Sequence, residues 1–265
     1  MAANTLLLLV EGPHDLEFCA RLLKPHGYHR IQQHSALKGN YPFWLPLVPE
    51  KWPHKGDMLA RHPVPVFLAN SNGQSVAIIN ASGLDKLATR LGVDLNYLSG
   101  LPDAIGIVLD ADSDVAPKDR HDGLLRAIAA RPEAEARLIS FSDKPGEVSA
   151  GQPRCGIFVM PDNQSQGTLE DLLLDAAGSA YPQLLQAAQS YTASASQNSA
   201  LRSSDLEEFS KPAGPKKATV AAMASILKPG KAIQVSIQDN RWLEPASLNL
   251  PRIKALQVFL HDLMA

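Results

Sequence analysis

Apolar residues in this chain fall into short continuous runs, separated by segments with helical periodicity. Thr5–Val10 reads as a buried strand, and Gly12-Pro13 turns the chain into a helix over His14–Leu23. Leu16, Cys19, Ala20 and Leu23 line one face of that helix. Short strands are predicted at His29–Gln33, Val76–Asn80 and Arg137–Phe141. Stronger ones are predicted at Ala104–Leu109 and Gly156–Met160. Between them lie helices at Gly83–Leu91, opened by Ser82, and at Pro117–Ala130, where Pro117 suits a first turn. A further helix covers Thr168–Ala177, with Glu170 and Asp171 in its first turn.

Residues 40–66 are rich in proline and aromatics and read as an excursion from the sheet. Trp44 and Trp52 there are read as packing or docking residues; base stacking is the competing account. Residues 187–216, Ser/Ala-rich and then Pro/Gly/Lys-rich, read as a mobile connection. Ala218–Leu227 and Ile253–Leu263 read as closing helices. Alternating strands and helices, with strands apolar on both faces, predict an α/β fold with a mostly parallel sheet flanked by helices. No internal repeat is found. The division expected is a first domain over residues 1–185 and a helical, lysine-bearing extension over 186–265 packed on it.

Composition narrows the class. A chain of 265 residues with 45% apolar and 20% charged residues is ordinary for a globular protein. The net charge of −2 gives no global argument for nucleic-acid or membrane binding. Cys19 and Cys155 are far apart in sequence, so neither a zinc site nor a disulfide framework is expected, and a reducing compartment follows. The first apolar run is short and lacks a basic leader, so it reads as a strand and not a signal peptide. The expectation is a cytoplasmic protein with no membrane partner.

Two strands end in acids. Leu6–Val10 runs into Glu11-Gly12-Pro13-His14-Asp15, and Ile105–Leu109 into Asp110-Ala111-Asp112-Ser113-Asp114. A third strand delivers Asp162, with Glu170 nearby. Ligands of open α/β sheets bind beyond the carboxyl ends of strands. Hard divalent cations prefer carboxylate oxygens, and clustered carboxylates repel one another without one. Mg²⁺ or Mn²⁺ is therefore the expected cofactor. The competing account of Glu11 and Asp15 is a helix N-terminal acid stabilised by the dipole. An EF-hand starting at Asp110 is excluded, because its sixth and twelfth positions are Val115 and His121, not Gly and Glu.

These residues resemble the Toprim domain of topoisomerases, primases and OLD-type nucleases. Phe158–Asn163 followed by Gly167-x-Leu169-Glu170-Asp171-Leu172 is closest to a compact Toprim-like family. The resemblance covers about Leu6 to Leu174. It implies a Rossmann-like Toprim fold. It also implies that Glu11 is a metal ligand or general acid/base, and that Asp110 and Asp112 are the metal-binding pair. Asp15 and Glu170 match acids of a second metal site in OLD-type members; Asp114 and Asp162 match less closely. Those nucleases also place a lysine late in the domain, for which Lys216 and Lys217 are the candidates. The implied activity is metal-dependent hydrolysis of nucleic-acid phosphodiesters with one or two ions.

The chain is too short for a topoisomerase and has no primase-type zinc module. Without a Walker A loop, any ATP-driven step would need an ATPase partner. Alternatives are a non-catalytic Toprim-like module that binds nucleic acid or protein, and a haloacid-dehalogenase-type phosphatase, whose nucleophile loop Asp110–Asp114 also resembles. Two acid-free stretches, Phe18–Pro49 and Ser210–Gln238, carry lysines and arginines suited to phosphate contacts. His26, His29 and His34 read as surface histidines.

Overall fold

The computed structural model describes residues 4–49, 64–133 and 138–265. Trp52, Pro53 and Arg137 lie outside the described residues. The strands are β1 Thr5–Val10, β2 His29–Arg30, β3 Val66–Ala69, β4 Ser75–Asn80, β5 Ala104–Asp110 and β6 Arg154–Met160. The first helices are α1 Pro13–Leu23, α2 His34–Asn40, α3 Leu87–Tyr97 and α4 Pro117–Ala129. Then come α5 Leu169–Ala180, α6 Pro182–Ser196, α7 Gly214–Leu227, α8 Ile233–Asp239, α9 Pro245–Leu248 and α10 Pro251–Met264.

The sheet order is β2-β3-β4-β1-β5-β6. Pairings β4-β1, β1-β5 and β5-β6 are parallel, whereas β2-β3 and β3-β4 are antiparallel. The Rossmann-like α/β fold with a mostly parallel sheet is thereby corrected. The sheet is small and mixed, and helix dominates: 52% of the described residues are helical and 14% lie in strands or bridges.

The physical reason for the mixed sheet lies in Asn70–Gln74. The Asn70 side chain accepts hydrogen bonds from Asn72 N (3.0 Å) and Gln74 N (3.1 Å), and Gly73 adopts φ 81°. That tight turn sends β3 back along β4 as a hairpin. The surplus helix comes from α6, which takes the first third of the expected connection, and from α2, α8 and α9, for which no helix was expected. Leu138–Phe141 forms no strand, and the helix expected at Gly83 begins as a 3₁₀ turn at Leu84–Lys86 before α3.

Successive residues of β1 feed opposite faces of the sheet. Leu6, Leu8 and Val10 pack with α1, α5 and α10, while Leu7 and Leu9 pack with α3, α4 and Trp44. Trp44 is fully buried and donates its indole N–H to Ser75 Oγ (2.9 Å). Seating α10 requires glycine in two strands. A Cβ at Gly156 would lie 2.6 Å from the Phe259 ring, and one at Gly106 would lie 2.6 Å from Leu263. Among the described residues, no helix is long and apolar enough to cross a membrane.

Candidate functional site

β1 and β5 are parallel neighbours in register, Val10 opposite Val108, so the residues that follow them emerge side by side. The Asp110 N–H donates to Glu11 Oε1 (2.8 Å). After β1, Gly12 opens α1 and its N–H donates to Asp15 Oδ2 (2.7 Å), which folds that carboxylate back toward the strand end. After β6, the chain returns through Gly167, whose backbone pairs with Asp112 in a short antiparallel bridge. α5 then begins, and the Leu169 N–H donates to Asp110 Oδ1 (2.9 Å). Glu170 follows in the first turn, its Oε2 accepting from Thr168 Oγ1 (2.8 Å). Glu11, Asp15, Asp110 and Glu170 thus come together from β1, α1, β5 and α5.

Each carboxylate commits one oxygen to a local donor, which fixes its direction. The second oxygen of each, Glu11 Oε2, Asp15 Oδ1, Asp110 Oδ2 and Glu170 Oε1, has no hydrogen-bond donor among the described residues. Burial pushes Asp15 up to about 7, and the charges of Glu11 and Glu170 add to the rise. Burial likewise raises Asp110 well above the usual carboxylate range, reinforced by Asp15, Glu11 and Glu170. Glu11 is raised by burial too, against the Asp110 N–H. Ionised carboxylates held close with unused oxygens favour a hard cation on chemical grounds. The donor set therefore fits Mg²⁺ or Mn²⁺. Among the described residues, however, no three of them already stand grouped tightly enough to hold an ion. Binding would require their free oxygens to close in.

The other expected acids separate from this group. Asp112 lies at its rim, close enough to act on the charge of Glu11, but is ion-paired with Arg120 (2.6 Å). Asp112 holds φ 63°, a left-handed conformation that aspartate tolerates better than most residues. Asp114 is exposed in the turn before α4. Asp162 accepts from Gln164 N, Ser165 N and Ser165 Oγ and pairs with Arg252 (3.2 Å). Burial would raise its carboxyl, but these donors prevail and hold it low. It serves as a turn anchor.

The two candidate lysines separate as well. They occupy the first turn of α7, not a mobile connection. Lys216 is ion-paired with Asp171 (2.7 Å) on α5. Lys217 instead lies close enough to lower the carboxyls of Glu11 and Asp15.

Two residues of the site went unread in the sequence. His14 is partly buried within reach of the charges of Glu170 and Lys217, and burial lowers its pKa. It stands inside the Glu11–Asp15 motif, which was the available signal. Arg120, on α4, had none.

A family model described as a protein of unknown function (DUF3226) matches residues 5–264. The chain belongs to this family. The DUF3226 match runs from β1 to α10, so it takes in the carboxylate edge and the helix that carries Lys217. Its description assigns no reaction. No curated protein and no solved structure matches the chain.

Proposed function

We propose that the carboxylate edge is a divalent-metal centre that hydrolyses phosphodiester bonds in nucleic acid, as the resemblance to Toprim nucleases implies. One observation carries the reading: four carboxylates converge, each with one oxygen held by a local donor and the other without one. Bound Mg²⁺ or Mn²⁺ would activate water and stabilise the leaving oxygen. Asp110 is bonded to Glu11 through its N–H and to α5 through Oδ1, and it feels the charges of Asp15, Glu11 and Glu170, so it is the best placed ligand to be shared. Lys217 has no ion-pair partner among the described residues and faces the same carboxylates. Its ammonium would offset negative charge growing on the phosphate. His14 and Lys217 would hold the phosphate over the acids. Any ATP-driven step would fall to an ATPase partner.

The test compares wild type with Asp110→Asn and Glu11→Gln on labelled DNA and RNA in Mg²⁺, Mn²⁺ and EDTA. Cleavage should need the metal and fall at least a hundredfold in each variant. Metal-dependent cleavage that survives both substitutions removes the site from the reaction.

A second reading rests on a different observation. Asp110 Oδ1 caps α5 at Leu169, and Asp112 is neutralised by Arg120. Both are structural tasks, and they favour a non-catalytic binding module. Metal binding without cleavage of either nucleic acid would select it.

A further inference from the structure

The two acid-free stretches of the sequence meet in space. α8 packs along α1, and between them and β2 lies a cleft of about 300 Å³ lined by Glu17, Arg21, Lys24, His29, Arg30 and Asp239. The two acids in it are already engaged: Glu17 is bound by Arg30, and Asp239 by Lys228 (3.0 Å). Arg21 and Lys24 have no carboxylate partner among the described residues. The Arg21 guanidinium makes only long contacts to the carbonyls of Asn240 (3.4 Å) and Leu243 (3.5 Å), and its Nε is buried with no acceptor among the described residues. A cleft with cationic groups left over is built for an anion.

Its position says which anion. His14, Glu17, Arg21 and Lys24 follow one another at spacings of three, four and three residues along α1 and the turn after it, so they share one face. That face begins at His14, beside the carboxylates and Lys217, and ends in the cleft. At 1.5 Å per residue, Arg21 and Lys24 lie about 9 and 13 Å along the axis from Asp15. Within a duplex, each strand advances about 3.4 Å per nucleotide along the helix axis. The cleft is thus about three to four nucleotides from the acidic edge.

We propose that the cleft between α1, β2 and α8 holds a backbone phosphate of a nucleic-acid strand whose nearby phosphodiester lies at the carboxylates. The nucleic-acid identity rests on the function proposed above; the cleft's taste for phosphate does not. The ordinary role of Arg21 and Lys24, compensating the dipole at the end of α1, leaves the buried Arg21 Nε without an acceptor among the described residues.

The test is fluorescence anisotropy with labelled duplex and single-stranded DNA and RNA in EDTA, where the carboxylates bind no metal. Lys24→Glu is compared with Lys38→Glu, an exposed charge reversal in the same acid-free stretch but outside the cleft. Thermal unfolding of both variants checks that each remains folded. Wild type should bind at least one nucleic acid. Lys24→Glu should weaken binding about tenfold and flatten its salt dependence by one to two in slope, at about 0.7 to 0.9 per phosphate contact. Lys38→Glu should stay within about twofold. Equal losses in the two variants, or no binding of DNA or RNA by wild type, overturns the cleft. If binding depends on Lys24 but no metal supports cleavage, the cleft stands and the hydrolytic reading fails. If cleavage depends on Asp110 and is indifferent to Lys24, the hydrolytic reading stands and the cleft is overturned.

Discussion

Replacing Asp15 with asparagine keeps the side chain's shape and an oxygen for the Gly12 N–H, while removing one of the charges crowded at the sheet edge. In the folded protein the Asp15 carboxyl titrates near 7, raised by burial and then by Glu11 and Glu170. In an unfolded chain it titrates near 3.9. Between those values the folded protein holds a proton that the unfolded chain has released, so wild type loses stability as pH rises through this window. At about 1.4 kcal/mol per tenfold in the protonation equilibrium, the ceiling is about 4 kcal/mol above neutral pH. Neighbouring carboxyls share the protonation and relax when one is removed, so about 2 kcal/mol is the working figure. Asp15→Asn should therefore be more stable than wild type at pH 8 without metal, with a melting temperature about 4–8 °C higher. The gain should shrink as pH falls and vanish near pH 4. Urea unfolding in EDTA at pH 8, 6 and 4 reads it directly. On the proposed metal centre, saturating Mg²⁺ or Mn²⁺ should narrow or reverse the ranking, because a ligand at a hundred times Kd would stabilise wild type by about 2.7 kcal/mol. An asparagine variant less stable than wild type at pH 8, or a gain independent of pH, would refute the reasoning.

Asp94 offers the same logic away from the site. Burial pushes its carboxyl up to about 6 despite the Arg90 pair (2.6 Å), so Asp94→Asn should stabilise at pH 8 by about 1–2 kcal/mol and change nothing at pH 4, by thermal unfolding. Gly156→Ala forces a methyl toward the Phe259 ring and should lose about 1–3 kcal/mol in urea unfolding. Lys216→Ala strands Asp171 and should lower stability by about 1 kcal/mol, whereas Lys217→Ala removes only a longer-range attraction to Glu11 and Asp15, should cost less stability than that, and should reduce metal-dependent cleavage at least tenfold. Equal effects of the two lysines on cleavage would remove the distinction between them.

Several individual elements could be read from residues alone, but not the mixed sheet or the helical majority. β1, β5 and β6 announce themselves because their residues are buried on both faces and therefore continuously apolar. β3 did not, because Val66–Ala69 follows a proline-rich stretch that masks it, although Asn70–Gly73 carried a hairpin signal. α6 was missed because its Ser/Ala composition resembles a linker; alanine is also the best helix former, and burial of Ala188 and Thr192 decides the matter. Glu11 and Asp110 were legible as strand ends, and parallel register does the rest. Lys216 and Lys217 were indistinguishable in sequence, since they differ only by the 100° that separates helical neighbours. The ion pair of Lys216 with Asp171 on α5 sets which one faces the acids. Arg120 reaches Asp112 through the path of α4, which no local pattern encodes.

The first turn of α5 joins these parts mechanically. It donates to Asp110 through Leu169, carries Glu170, and holds α7 through Asp171 and Lys216. On the proposed function, a cation at the carboxylates and an anion at Lys217 would therefore share one support, and their opposite charges would reward joint occupancy. Cooperativity of this kind is reciprocal: the factor by which phosphate tightens metal binding equals the factor by which metal tightens phosphate binding. Titrating Mn²⁺ with and without inorganic phosphate, and phosphate with and without Mn²⁺, should return one number in both directions.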